Sequence, residues 1–170
     1  MLEGWYFITV ALLVLSGGSK LRDPEPTRGA LGIAGLPSSR GVVTILAVGE
    51  IVVGAAALAL TSPLVPAAVA LFYAGFALFV VTALLRRLPL QSCGCFGTSD
   101  TPPGWIHVGV NVSAATTAVA VMADSGADLF GLLSAQPASG IPYVGFLGIG
   151  AALLALVLSD VPTVLTRGAT

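Results

Sequence analysis

Two apolar runs, residues 41–60 and 64–85, are separated only by Thr61-Ser62-Pro63, and the two together contain a single charged residue, Glu50. A helix rises ~1.5 Å per residue, so ~20 apolar residues cross the ~30 Å hydrocarbon core of a bilayer. A three-residue turn then sends the second run back through the same layer. Three further runs, 5–18, 105–123 and 141–159, complete a set of five; the first reaches spanning length only with Glu3 and Lys20 at the two interfaces. With 56% hydrophobic and 9% charged residues in a chain of 170, there is more apolar surface than a soluble domain could bury. Inside lipid every backbone polar group needs an internal partner, so spanning segments are helices or closed barrels. These runs lack the ~10-residue alternation of barrel strands. The reading is an all-α membrane protein.

The connections carry the polar residues. Residues 19–40 read as a polar link holding Lys20-Leu21-Arg22-Asp23-Pro24 and a Gly/Pro-rich run at 29–37. A loop at 91–104 follows Arg86 and Arg87, and Pro102, Pro103 and Gly104 hold off helix until Trp105. Residues 124–140 form a second loop with one amphipathic interfacial turn at 129–133, and the fifth helix ends near Asp160 and Pro162. The N-terminus shows no basic n-region and no Ala-x-Ala cleavage pattern, so the first run reads as a retained helix. No internal repeat supports an inverted-repeat transporter. Gly145, Gly148 and Gly150 suit close helix packing, and Trp5, Tyr6, Trp105 and Tyr143 read as interfacial aromatic anchors. The net charge of −1 is uninformative, and no basic run offers a nucleic-acid footprint. In a five-helix arrangement Lys20, Arg22, Arg28, Arg40, Arg86, Arg87 and Arg167 all fall on one side. The positive-inside rule then places the N-terminus outside, and the C-terminus and the 91–104 loop on the cytoplasmic side.

Both cysteines stand in one motif, Cys93-Gly94-Cys95, which admits three chemistries. A disulfide between residues i and i+2 needs a bend that glycine permits, and its small ring is readily reduced, which suits exchange. Arg86 and Arg87 upstream favour the thiolate form. A two-thiolate clamp suits Cu(I), whereas zinc would need His107 as a third ligand at a spacing no structural zinc site uses. Two inert neighbouring thiols are the third reading.

Glu50 lies about ten residues from either end of its helix, where a carboxylate facing lipid costs ~2.5–3.5 kcal/mol. It therefore faces the bundle interior, as a buried hydrogen-bonded carboxyl, a proton acceptor, or the ion-pair partner of Lys20 or Arg22. His107 and Asn111, at i and i+4, share a helix face with Ala114 and Ala118, small residues that point this face inward. A histidine beside a dithiol is a natural acid/base group; the plainer reading is a hydrogen-bonded structural residue. Lys20, Arg22 and Asp23 close the first helix on the side of the cysteines, either as a solvated anchor before Pro24 or as cations that bind an anionic group or hold the thiolate.

Taken together, Ser16-Gly17-Gly18-Ser19-Lys20-Leu21-Arg22-Asp23-Pro24, Glu50, Cys93-Gly94-Cys95-Phe96-Gly97, Gly104-Trp105 and Asn111 resemble the methylamine-utilisation MauE family, within the broader DoxX-like membrane proteins. Val110 stands where members often carry arginine before the asparagine. The resemblance implies a DoxX-like four-helix core over 1–123 with its CGC loop at 91–104, and leaves 124–170 as a loop, an extra transmembrane helix and a short tail. It further implies a dithiol at Cys93 and Cys95 that relays electrons between a thioredoxin-like partner and the membrane, with a quinone as an acceptor it allows, in support of disulfide formation or maturation of an exported protein. On that reading Cys93, Cys95, Glu50 and His107 are the catalytic set, and Lys20, Arg22, Asp23, Arg86, Arg87 and Asn111 tune or bind. The rival reading is a noncatalytic membrane subunit or assembly factor whose CGC loop docks a partner or holds Cu(I) on Cys93 and Cys95. Exported disulfide chemistry wants the outer face, against the charge count.

Overall fold

The computed structural model describes residues 2–90, 102–123, 129, 133 and 137–167, the side chains of 137–139, 141 and 159–167 excepted. Cys93, Cys95 and most of the proposed 129–133 turn lie outside the described residues. The described residues form helices α1 (Leu2–Arg22), α2 (Glu25–Ile33), α3 (Arg40–Ala59), α4 (Leu64–Leu85), α5 (Trp105–Ala123) and α6 (Pro137–Arg167), with no strand among them. Four of these, α1, α3, α4 and α5, are long and apolar enough to cross a membrane, and α6 carries a shorter apolar stretch, Pro142–Leu158. The chain is a multi-pass helical membrane protein.

Three expectations need correction. The first helix extends past residue 18 to Arg22, because Lys20 is not held at the interface but buried against α3, so the helix carries it inward. The polar link contains α2, whose nine residues start after Pro24, a residue pre-set for the first helical turn. Asp23 accepts a hydrogen bond from the Glu25 amide at 3.2 Å, Arg28 and Arg40 both reach the Glu25 carboxylate at 2.7 and 3.4 Å, and Arg28 also donates to the Ser38 carbonyl at 2.9 Å. This local net holds a short helix whose composition reads as a loop. Finally, the last helix continues through Asp160 and Pro162 to Arg167.

α1 is the central element: it packs on α3, α5 and α6, while α4 packs mainly on α5. Where α1 crosses α3 the backbones nearly touch. A Cβ at Gly17 would fall 2.6 Å from the Ala47 carbonyl oxygen, and one at Gly54 2.5 Å from Val14 Cγ2, so both must be glycine, as small-residue packing in lipid requires. Of the three glycines expected to serve packing on the last helix, only Gly150 meets a neighbour, Ile8 of α1; Gly145 and Gly148 face open space. The core joins Phe7, Val10 and Leu13 of α1 to Val69 and Tyr73 of α4, Ala114 and Ala118 of α5, and Leu147 and Ala151 of α6. Tyr6 belongs to it as well and is not an interfacial anchor, whereas Trp105 is largely exposed. Tyr73 ties α4 to α1 by donating to the Thr9 carbonyl at 2.6 Å.

Candidate functional site

The antiparallel run of α1 to α3 and of α4 to α5 brings four helix ends together at one end of the bundle: the C-termini of α1 and α4 and the N-termini of α3 and α5. Two buried polar centres lie inside that end.

The first joins α1 to α3. Lys20 is 3% exposed and Glu50 is fully buried, and the Lys20 ammonium lies 3.0 Å from both carboxylate oxygens. The approach to Oε2 has hydrogen-bond geometry; the one to Oε1 is an ionic contact only. Lys20 also donates to Ser16 Oγ, one turn back on its own helix. A lone charge at this depth would be costly, and the pair is kept because each ion meets the other in a dry interface. Sequence reasoning selected Glu50 and offered Lys20 or Arg22 as its partner; the structure chooses Lys20, and Arg22 is exposed. Ser16 was missed as a polar contact, though its i, i+4 spacing to Lys20 is the signal that finds it.

The second centre is His107, 2% exposed, one turn into α5. Its Nδ1 accepts the Gly104 amide at 3.2 Å, so in the neutral ring the proton sits on Nε2. Nε2 is buried and has no hydrogen-bond partner among the described residues. His107 borders a cavity of about 30 Å³ that Ser16, Tyr73 and Asn111 also line among apolar groups, room for about one water-sized molecule. Leu158 of α6 closes one wall, which gives the fifth apolar helix a place at the site. The expected inward face is present, since Asn111, Ala114 and Ala118 are buried too. Asn111 does not touch the imidazole, however; its amide donates to the His107 carbonyl at 2.7 Å. Ser16 is common to both centres, bonded to Lys20 and lining the His107 cavity.

Arg86 and Arg87 are exposed at the end of α4. Arg87 takes a left-handed conformation, φ 50°, while Leu88 N–H bonds to the Ala83 carbonyl and Arg87 N–H to that of Leu84, a Schellman end usually built on glycine. The reversal drives Leu90 into a small apolar cluster with Ala30 of α2 and Ala83 of α4. The stem of the cysteine segment is thus anchored under α2. Asp23 shapes the α1–α2 turn and contacts neither buried centre directly. Among the described residues no group of three or more His, Cys, Asp or Glu could hold a metal ion.

No curated protein and no solved structure matches the chain. The family model described as methylamine utilisation protein MauE matches residues 3–124. That match takes in all four long apolar helices, both buried polar centres and the Cys93-Gly94-Cys95 motif, and stops short of α6. The chain belongs to the MauE family.

Proposed function

We propose that this protein is a membrane thiol:disulfide relay. Cys93 and Cys95 exchange with a thioredoxin-like partner and pass two electrons to an acceptor in the bilayer, in support of disulfide formation or maturation of an exported protein. The observation that carries the reading is convergence at one end of the bundle. The segment holding both cysteines leaves from Leu90 and returns at Pro102, at the end where Lys20, Glu50 and His107 are buried. Two residues, Gln91 and Ser92, separate Cys93 from Leu90, so three chain steps give a tether of roughly 11 Å at full extension. Leu90 itself is pinned to α2 and α4.

The roles follow from chemistry. The Cys93–Cys95 disulfide is attacked by a partner thiolate; the partner's second thiol resolves the mixed disulfide, leaving the partner oxidised and the pair as dithiol. Arg22, Arg86 and Arg87, exposed at this end, favour thiolate over thiol. His107, with one nitrogen fixed by Gly104 and the other without a hydrogen-bond partner among the described residues, serves as the nearby proton donor and acceptor. Glu50 and Lys20 form a charged but balanced floor.

The test is to trap the thiols of the full-length protein in its native membrane with a mass-adding maleimide. A pair that cycles between dithiol and disulfide, with partner oxidation abolished by Cys93→Ser or Cys95→Ser, supports the relay. A pair locked in one state rejects it. Stoichiometric copper lost on Cys93→Ser would instead favour a Cu(I)-holding assembly factor. The charge count puts the cysteine segment on the cytoplasmic side, whereas work on an exported protein calls for the outer face; labelling of intact cells by an impermeant thiol reagent decides for the outer face, and labelling only after permeabilisation for the inner one.

A further inference from the structure

Lys20 also borders a larger cavity, about 340 Å³, lined mainly by α2, α3 and α4. Its volume falls in the range of small-molecule sites. Phe72, Phe76 and Phe79 of α4 line it, with Leu31 and Ala30 of α2 above and Leu46 of α3 opposite. Among the described lining residues Lys20 is the only charged one and Thr27 the only uncharged polar one. Leu36 and Leu71, both exposed, mark where the cavity meets the outer, apolar surface of the bundle.

These features select a ligand. The Lys20 ammonium has three N–H donors, and hydrogen bonds to Ser16 and Glu50 account for two. Its charge is already balanced by Glu50, so an anionic ligand would bring a second negative charge to a neutral pair. A plain hydrocarbon chain would leave the polar floor unused. What fits is a neutral, flat, conjugated ring with a carbonyl acceptor for Lys20, faces that stack on phenylalanine, and an apolar tail leaving past Leu71 into lipid. The Lys20 ammonium also lies 5.5 Å from the Phe76 ring centroid, so the polar floor and the aromatic wall are contiguous.

We infer that the cavity between α2, α3 and α4 is the binding site of a lipophilic quinone, held by a hydrogen bond from Lys20 to a ring carbonyl and by the Phe72, Phe76 and Phe79 wall. This rests on the relay reading and supplies its acceptor. The balance closes: the two thiols of Cys93 and Cys95 lose two electrons and two protons as the S–S bond forms, and the quinone takes both electrons and both protons on its oxygens to become a quinol. The Lys20 N–H stabilises the negative charge that develops on the carbonyl oxygen during that reduction. The cavity also adjoins Ala30, the α2 residue against which Leu90 packs at the stem of the cysteine segment.

Gly75 offers the decisive variant. It lines the cavity, and a Cβ there meets nothing within 4 Å, so a larger side chain enters empty space without displacing backbone. The measurement is binding of tritiated decylubiquinone to the full-length protein in phosphatidylcholine nanodiscs, with thermal unfolding as a folding check. We expect saturable binding of about one molecule per chain, weakened at least tenfold by Gly75→Phe and unchanged by the Cys93→Ser/Cys95→Ser double variant. Should Gly75→Phe not fold, Gly75→Leu serves, with a smaller loss of the same kind. Binding that is unsaturable, or equal in wild type and a folded Gly75 variant, overturns the inference, as does a tightly held acyl lipid that decylubiquinone does not displace. If cysteines cycle while Gly75 variants bind normally, the relay stands and this site falls. If decylubiquinone binds as expected while the cysteines never cycle, the site stands and the relay falls.

Discussion

The two buried polar centres solve one problem in opposite ways. Lys20–Glu50 is closed between helices: each charge is answered by the other, and the bond exists only because Gly17 and Gly54 let α1 lie against α3. His107 and Asn111 are answered locally, by the Gly104 amide and by a carbonyl of their own helix, and one imidazole nitrogen has no hydrogen-bond partner among the described residues. A charge in a low-dielectric interior cannot stand unpaired, whereas a neutral imidazole can be left half-satisfied at modest cost. The first centre is therefore a fixed ion pair, and the second keeps one nitrogen without a hydrogen-bond partner among the described residues.

The contrast can be broken most severely at the ion pair. Lys20→Met or Glu50→Leu alone leaves one uncompensated buried charge and should cost about 3–5 kcal/mol, while the double variant recovers most of that loss. Unfolding in mixed micelles reads the cycle, and additive single effects would show that the two ions are not coupled. Gly17→Val attacks the same centre through the backbone. Its side chain would collide with the Ala47 carbonyl and Ile51, parting α1 from α3 at a cost of about 1–3 kcal/mol. The same substitution at Gly145, which faces open space, is the control and should change little.

At the second centre His107→Leu removes the acceptor for the Gly104 amide, worth about 1 kcal/mol of stability. Its larger effect should fall on the relay, whose rate drops while the protein remains folded. An unchanged rate in the folded variant would assign His107 a purely structural part. The smallest effect belongs to the surface net on α2. The hydrogen bond from Arg28, helped by Arg40, holds the exposed Glu25 carboxyl below its ordinary range. Because its folded value is depressed, the tie contributes fully above the unfolded carboxylate range and is lost as pH falls through the lowered one. Protection of the α2 amides from hydrogen exchange should drop slightly on acidification in that window, and Glu25→Gln should abolish the dependence.

Much of this protein is legible in its residues alone. Apolar run length and the lack of alternation set the all-helical membrane class, and the bounds of α3, α4 and α5 follow within one residue. The inward face of α5 follows from the i, i+4 spacing of His107, Asn111, Ala114 and Ala118, because a helix repeats its faces every 3.6 residues. The depth of Glu50 required a partner, since charge in lipid does. Sequence could not choose that partner, because Lys20 and Arg22 are chemically alike and only the direction of α1 against α3 buries one and exposes the other. Nor could it foresee α2, whose glycines and prolines read as loop and whose helix is held by side chains from three neighbouring segments. The cavity behind Lys20 is legible least of all: Thr27, Leu46 and Phe76 lie far apart along the chain, and only packing makes them walls of one space.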